Sequence, residues 1–342
     1  LLVMPTGTGK TIVIAHTIKQ GRWPGRVMVI QHREELAFQN AAKIEAVCNE
    51  PCGIELAQAV AGEKHRIVSA SVQTLNSKSR GVWRMQNFDP REFSLLVTDE
   101  AHHATAESYR RVYDWFGANR EIRHLGVTAT PDRTDEEALG QIFDTVAMEY
   151  SILDAIDDGW LVPILQQYVH VDGLDFSGVK TQLGDLHKKQ LAAVMEEEKI
   201  IHGVVDPLIQ LADDRPTLVF ASSVAQAHRM AEVFNRYAPK SAYAVDGKTD
   251  RQERRGLIQA FRRGEFQYFC NMGIFLEGFD VPAIACVAMA RPTKSRALYS
   301  QVVGRGTRPL PDVVDVAETA SERRGLVANS AKPDLLVLDF VG

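Results

Sequence analysis

The sequence predicts an α/β protein made of two tandem doubly wound domains, each with a parallel sheet. Short apolar runs of strand length alternate with longer stretches whose apolar residues recur at helical spacing. Parallel strands joined by crossover helices produce that alternation. At 342 residues the chain also exceeds one ordinary domain, so two units of about 150 to 180 residues are the natural division.

In chain order, residues 1–4 read as a buried strand and 11–18 as the helix behind it. Strands at 26–30 and 94–98 precede helices at 34–47 and 107–116, and 122–127 is a further strand. The second half repeats the theme with strands at 217–220, 241–245, 266–270, 284–289 and 335–338, and helices at 224–237 and 250–263. Gly and Pro punctuate 157–163, which places the domains at 1–162 and 163–342. A polar, partly helical lead-in covers about 172–213.

Hydrophobic residues at 45% and charged residues at 24% are ordinary for a globular chain. No apolar run reaches membrane-spanning length. No basic segment followed by an apolar one marks secretion, so a cytoplasmic protein is expected. The net charge of −5 argues against a coat of positive charge, yet Lys and Arg gather at 251–255, 262–263 and 291–296. Each cluster reads equally as a solvated helix face or as part of a polyanion surface. Cys48, Cys52, Cys270 and Cys286 form no C-x-x-C pair, so reduced structural thiols are expected rather than a zinc site.

The stretch Met4-Pro5-Thr6-Gly7-Thr8-Gly9-Lys10-Thr11 lies between the first strand and the first helix. A phosphate-binding loop needs that context: backbone N–H groups and the helix N-terminus face the phosphates, Lys10 reaches the β/γ oxygens, and the Thr11 hydroxyl binds Mg²⁺. Gly7 and Gly9 let the backbone approach closely. Met4 stands where the general pattern has Gly. The bland alternative is a Gly/Thr-rich turn that binds nothing. Asp99 and Glu100 follow an apolar strand, at the carboxyl edge where open α/β sheets take ligands. There Asp99 would help hold Mg²⁺ and Glu100 would activate a water. His102 is adjacent and suited to sensing the γ-phosphate, although a surface histidine is the plainer reading.

The ordered motifs MPTGTGKT, TDEAHH (98–103), GVTATP (126–131), EGFDVP (277–282) and QVVGRGTRP (301–309) resemble motifs I, II, III, V and VI of superfamily 2 helicases of the DEAH type. The resemblance spans nearly the whole chain and implies RecA-like domains with ATP bound in the cleft between them. It implies an ATP-dependent helicase or translocase using Mg²⁺. Thr128 and Thr130 match the motif that links ATP to nucleic acid, and Gly278 and Asp280 match the motif that approaches the nucleotide. Gln301, Arg305 and Arg308 match the motif whose arginines act on the γ-phosphate, for which a permanently charged, forked guanidinium is suited. Residues 31–36, 71–74 and 220–223 resemble motifs Ia, Ib and IV, which implies nucleic-acid contacts at His32, Arg33, Gln73, Thr74, Ser222 and Ser223. Helix capping is the competing explanation for each Ser and Thr. DNA is the preferred partner, with RNA as the alternative, because motif V followed by ARPTKSR (290–296) resembles bacterial and phage DNA helicases. The competing functions are a translocating restriction-enzyme motor and an ATP-gated clamp. The chain begins too late for the adenine-recognising segment that such proteins carry before motif I, which points to a motor core or fragment.

Overall fold

The computed structural model describes residues 1–79, 81–129, 139–182, 185–273 and 281–341. They form two compact units, Leu1–Ser151 and Ile152–Gly342.

The first unit holds a seven-stranded parallel sheet. Its strands are β1 (Leu2–Val3), β2 (Arg26–Gln31), β3 (Cys52–Glu55), β4 (Ile67–Ser71), β7 (Phe93–Asp99), β8 (Arg123–Thr128) and β9 (Met148–Glu149), in the order β3-β4-β2-β7-β8-β1-β9. A small antiparallel pair, β5 (Lys78–Ser79) and β6 (Val82–Trp83), stands apart from it. Strand geometry sends successive side chains to opposite faces, and the core divides accordingly. Val27, Val29, Leu95 and Val97 pack on one face with Ile14, Ile18 and Ile44 of helices α1 (Lys10–Gln20) and α2 (Glu34–Cys48). Met28, Ile30 and Leu96 pack on the other with Tyr109, Val112 and Phe116 of α4 (Glu107–Phe116). The one-turn helix α3 (Val72–Leu75) follows β4 directly. Strands buried on both faces are near-continuous apolar runs, which is why β2 and β7 are legible in the sequence.

The second unit opens with helix α5 (Ile152–Asp157) and contains a six-stranded parallel sheet ordered β10-β17-β16-β13-β15-β14. The strands are β10 (Ile164–His170), β13 (Thr217–Ala221), β14 (Ala242–Val245), β15 (Tyr268–Asn271), β16 (Cys286–Ala290) and β17 (Leu335–Val341). Val219, Ala221, Cys270 and Leu338 face helices α7 (Glu198–Ala212) and α8 (Val224–Tyr237). Leu218, Phe220, Phe269 and Val337 face Phe261 of α9 (Arg251–Arg262) and Val302 and Val303 of α10 (Arg296–Val303). The lead-in contains a hairpin, β11 (Thr181–Gln182) with β12 (Asp185–Leu186), then α6 (Lys188–Met195) and α7. Its polar composition conceals an apolar stripe on α7, because Ile200, Val204, Val205 and Leu208 are fully buried at helical spacing. The last helix is α11 (Ala320–Ala328). All four cysteines are free thiols, and burial pushes those of Cys52 and Cys286 up to about 12. Among the described residues, no helix is long and apolar enough to cross a membrane.

Candidate functional site

The loop between β1 and α1 is shaped by its glycines. Gly7 and Gly9 have φ of 97° and 82°, and Gly9 is the N-cap of α1. Those left-handed angles suit glycine alone among common residues. The Gly9 carbonyl accepts from the amides of Ile12 and Val13 to start the helix. Thr8 Oγ1 donates to the Pro5 carbonyl at 2.8 Å, pinning the turn. Thr6 is buried within the same loop. Met4 is buried as well, and its amide donates to the Thr128 carbonyl at the end of β8. The residue that departs from the general pattern is thus an extension of the strand, packed into the unit.

At the foot of this loop the side chains form one connected set. Lys10 Nζ lies 3.0 Å from Glu100 Oε1, both groups largely buried. Thr11 Oγ1 is 3.0 Å from Asn40 Oδ1, and Asn40 Nδ2 donates to Asp99 Oδ2 at 2.9 Å. Asn40, on α2 and 3% exposed, bridges the two expected Mg²⁺ ligands and escaped the sequence reading. Its only signal there is an amide at a position the helical periodicity assigns to the buried face. Burial raises the Asp99 carboxyl above its ordinary range; the charge of Glu100 raises it further, while Lys10 and Asn40 act in the opposite sense. Glu100 has a φ of 51°, left-handed for a non-glycine residue. The turn there aims its carboxylate back toward Lys10 and starts the short helical turn Ala101–His103. His102 Nδ1 lies 3.5 Å from Glu100 Oε2 and 3.2 Å from Thr128 Oγ1.

The first unit therefore gathers Lys10, Thr11, Asp99, Glu100, His102 and Thr128, drawn from the ends of β7 and β8 and the start of α1. Thr130, Gly278 and Asp280 lie outside the described residues. The expected nucleic-acid residues divide. Gln73 is exposed on α3, with Nε2 3.3 Å from His32 Nδ1, and Arg33 is the partly exposed N-cap of α2. Thr74 is 5% exposed and bonded to the Ser71 hydroxyl that caps α3. Ser222 is 4% exposed, with its amide and hydroxyl both donating to Gln226 Oε1, while Ser223 caps α8 and also bonds Glu196. Of these three hydroxyls Ser223 alone caps a helix; Thr74 lies within α3 and Ser222 is held by Gln226 of α8.

In the second unit Gln301 lies on α10, and Arg305 and Arg308 lie on the turn that ends it. This turn is fixed through its main chain. The Arg305 amide donates to the Val302 carbonyl, the Thr307 carbonyl accepts from Val162, and Thr307 Oγ1 donates to the Gly304 carbonyl. Lys332, 2% exposed, donates to the carbonyls of Arg308 and Pro282, each at 2.6 Å. Burial, then the nearby Arg308, lowers its amine to about 7.

Known proteins resemble this chain over most of its length. The family described as Type III restriction enzyme, res subunit, matches residues 1–133, and Helicase conserved C-terminal domain matches residues 200–309. The chain is similar to IRC3 of Saccharomyces cerevisiae, provisionally named an ATP-dependent helicase, with 32% identity over 89% of this chain and 45% of that protein. It is also similar to a 51.5 kDa protein of a Lactococcus phage, 28% identical over 90% of this chain and 62% of the relative. Among solved structures it resembles a fragment provisionally assigned as the HsdR subunit of a type I restriction enzyme from Vibrio vulnificus. That match has a TM-score of 0.71 at 19% identity, covering 99% of this chain and 59% of the other. The fold is likewise that of Dbp5 from S. cerevisiae, solved with RNA and ADP BeF3, at a TM-score of 0.61 and 12% identity over 100% of this chain and 78% of Dbp5. The chain spans about half the length of the curated relatives it matches.

Proposed function

Because this chain belongs to the superfamily 2 helicases, an ATP-hydrolysing family with tandem RecA-like domains, we propose that it is an ATP-driven motor acting on nucleic acid, with DNA preferred over RNA. The observation that carries the proposal is the connected set Lys10–Glu100 and Thr11–Asn40–Asp99 at the N-terminus of α1. Triphosphate oxygens would lie on the loop amides and take Lys10 as their cation. That exchange releases Glu100 from Lys10, leaving it to orient and deprotonate the attacking water. The donors Thr11 and Asp99 are oxygens, which suit Mg²⁺; the ion takes few protein ligands and completes its shell with phosphate and water. Bound there, Mg²⁺ would neutralise charge developing on the transferred phosphoryl group. Arg305 and Arg308 would supply further positive charge for the γ-phosphate, with Gln301 beside them, so that turnover needs both units. Gly278, Asp280 and Thr130 keep their assigned roles within this reading.

DNA is favoured by the relatives named DNA 3'-5' helicase XPB and a type I restriction enzyme subunit, whereas Dbp5 was solved with RNA. The match to a restriction-enzyme subunit family over residues 1–133 supports a second reading, a motor that translocates without separating strands. ATPase rates measured separately with single-stranded DNA, duplex DNA and RNA test the proposal. DNA should stimulate most, and no stimulation by any of the three removes the motor reading. Displacement of a labelled strand from a tailed duplex then separates unwinding from translocation alone. The cytoplasmic location expected from the sequence belongs to the same reading and is testable by fractionation of cells expressing a tagged full-length protein.

A further inference from the structure

One residue in the first unit joins two groups that the functional reading treats separately. His103 follows His102 in the turn after Glu100, and its ring centroid lies 4.1 Å from that of His102. On its other side it stacks on His32 at 4.5 Å and an interplanar angle of 26°. His32 comes directly after β2, and its Nδ1 lies 3.3 Å from Nε2 of the exposed Gln73 on α3. At the inner end, His102 contacts both Glu100 and Thr128. A continuous series of contacts therefore runs from Gln73 through His32, His103 and His102 to Glu100. Every member belongs to the same compact unit.

The physical character of the series matters. Stacked rings at these separations are in van der Waals contact, and packed side chains rearrange between discrete positions rather than deforming continuously. His102 and His103 are neighbours in a tight turn, so a displacement of the His103 ring is passed to His102 by the backbone as well as by the ring contact. Glu100 holds its left-handed conformation at the start of the same turn. A small movement there redirects the carboxylate that pairs with Lys10.

We propose that His103 is the coupling residue of the first unit, transmitting nucleic-acid engagement of the Gln73 and His32 segments to Glu100 through its ring contacts. It touches neither nucleotide nor nucleic acid in this scheme and acts through its neighbours. The inference rests on the motor reading above and adds a residue and a route to it. Contiguity alone does not establish coupling, so the test measures coupling itself.

The experiment compares the ATPase of the unaltered chain, His103→Ala and His103→Phe, each without polymer and with whichever of single-stranded DNA, duplex DNA and RNA stimulates the unaltered chain most. His103→Ala should keep the polymer-free rate and ATP KM while its stimulation falls at least about fivefold, the lower end of ordinary coupling between sites. His103→Phe, which keeps a flat ring, should restore most of the stimulation. Stimulation left intact in His103→Ala overturns the inference and leaves the motor reading standing. Equal loss of basal and stimulated rates in both variants overturns it too, because that is the signature of a merely structural residue. A Phe variant as poorly stimulated as the Ala variant excludes ring contact as the means. If the unaltered chain responds to no polymer, the motor reading fails first and the inference with it.

Discussion

The two units differ in the bonds that fix the segments carrying their candidate functional groups. In the first, the polar side chains hold one another: Lys10 meets Glu100, and Asn40 ties Thr11 to Asp99. In the second, the arginine-bearing turn is held through its backbone, with Lys332 on the carbonyls of Arg308 and Pro282 and Val162 on that of Thr307. The Thr11–Asn40–Asp99 bridge already holds two oxygen donors in place, and Lys10 has only to exchange Glu100 for phosphate, which suits binding and aligning a ligand. A fixed backbone carrying long cationic side chains suits charge delivered at a particular moment. The difference suggests that affinity for nucleotide resides mainly in the first unit and rate mainly in the second.

Four changes break or sharpen that contrast. The largest effect is expected for Arg305→Ala, which should lower kcat by about 10³ to 10⁵ while nucleotide affinity, measured by fluorescent-analogue titration, stays nearly constant. Lost affinity with normal turnover would reverse the division of labour. Lys10→Ala should weaken nucleotide binding and reduce hydrolysis by about 10² to 10³, and undiminished turnover in that variant sinks the assignment of the loop. Asn40→Ala removes the bridge but no expected ligand, so the Mg²⁺ concentration giving half-maximal ATPase should rise about 10- to 100-fold. A change in kcat alone would place Asn40 elsewhere in the chemistry. The smallest effect concerns Lys332 and is read in stability.

Lys332 has its amine lowered to about 7 in the fold, whereas in the unfolded chain it holds its proton up to about 10.4. Between those values the unfolded state binds the extra proton, so this residue makes stability rise with pH across the window. Below about pH 7 both states are protonated, and the cost of the buried charge is present in full. Lys332→Met should flatten the rise in denaturant midpoint between pH 7 and the upper limit of the window. It should also destabilise the unit by about 1 to 3 kcal/mol, since it removes a donor from two partly buried carbonyls. A variant retaining the full slope would show that another group titrates there.

What the sequence disclosed follows from the range of the interactions involved. The phosphate loop and the strand ending at Asp99 are local, set by glycines beside apolar runs, and they were legible. Strands β3, β4 and β10 were passed over. Cys52–Glu55 is short and contains Gly53, Ile67–Ser71 interleaves Ser with apolar residues, and β10 carries Gln166, Gln167 and an exposed Tyr168 along the sheet edge. Helices α10 and α11 are not legible because at 8 and 9 residues they show too little of a helical period, and their starts depend on caps from Ser295 and Thr319. Among site residues, Asn40 is separated from Thr11 and Asp99 by 29 and 59 residues, and Lys332 from Arg308 and Pro282 by 24 and 50. Nothing in the spacing of either announces what it will touch. The burial of Thr74 and Ser222 depends on the residues packed around them and not on their own spacing.

The left-handed backbone at Glu100 sets fold and chemistry against each other. A side chain in that conformation costs about 1 kcal/mol or more relative to glycine, so Glu100→Gly should relieve the backbone while removing the expected base. Removing Glu100 also leaves the largely buried Lys10 ammonium without its counter-charge, which costs more than the backbone gains, so under a selection scored on heat resistance alone the ion pair keeps Glu at this position.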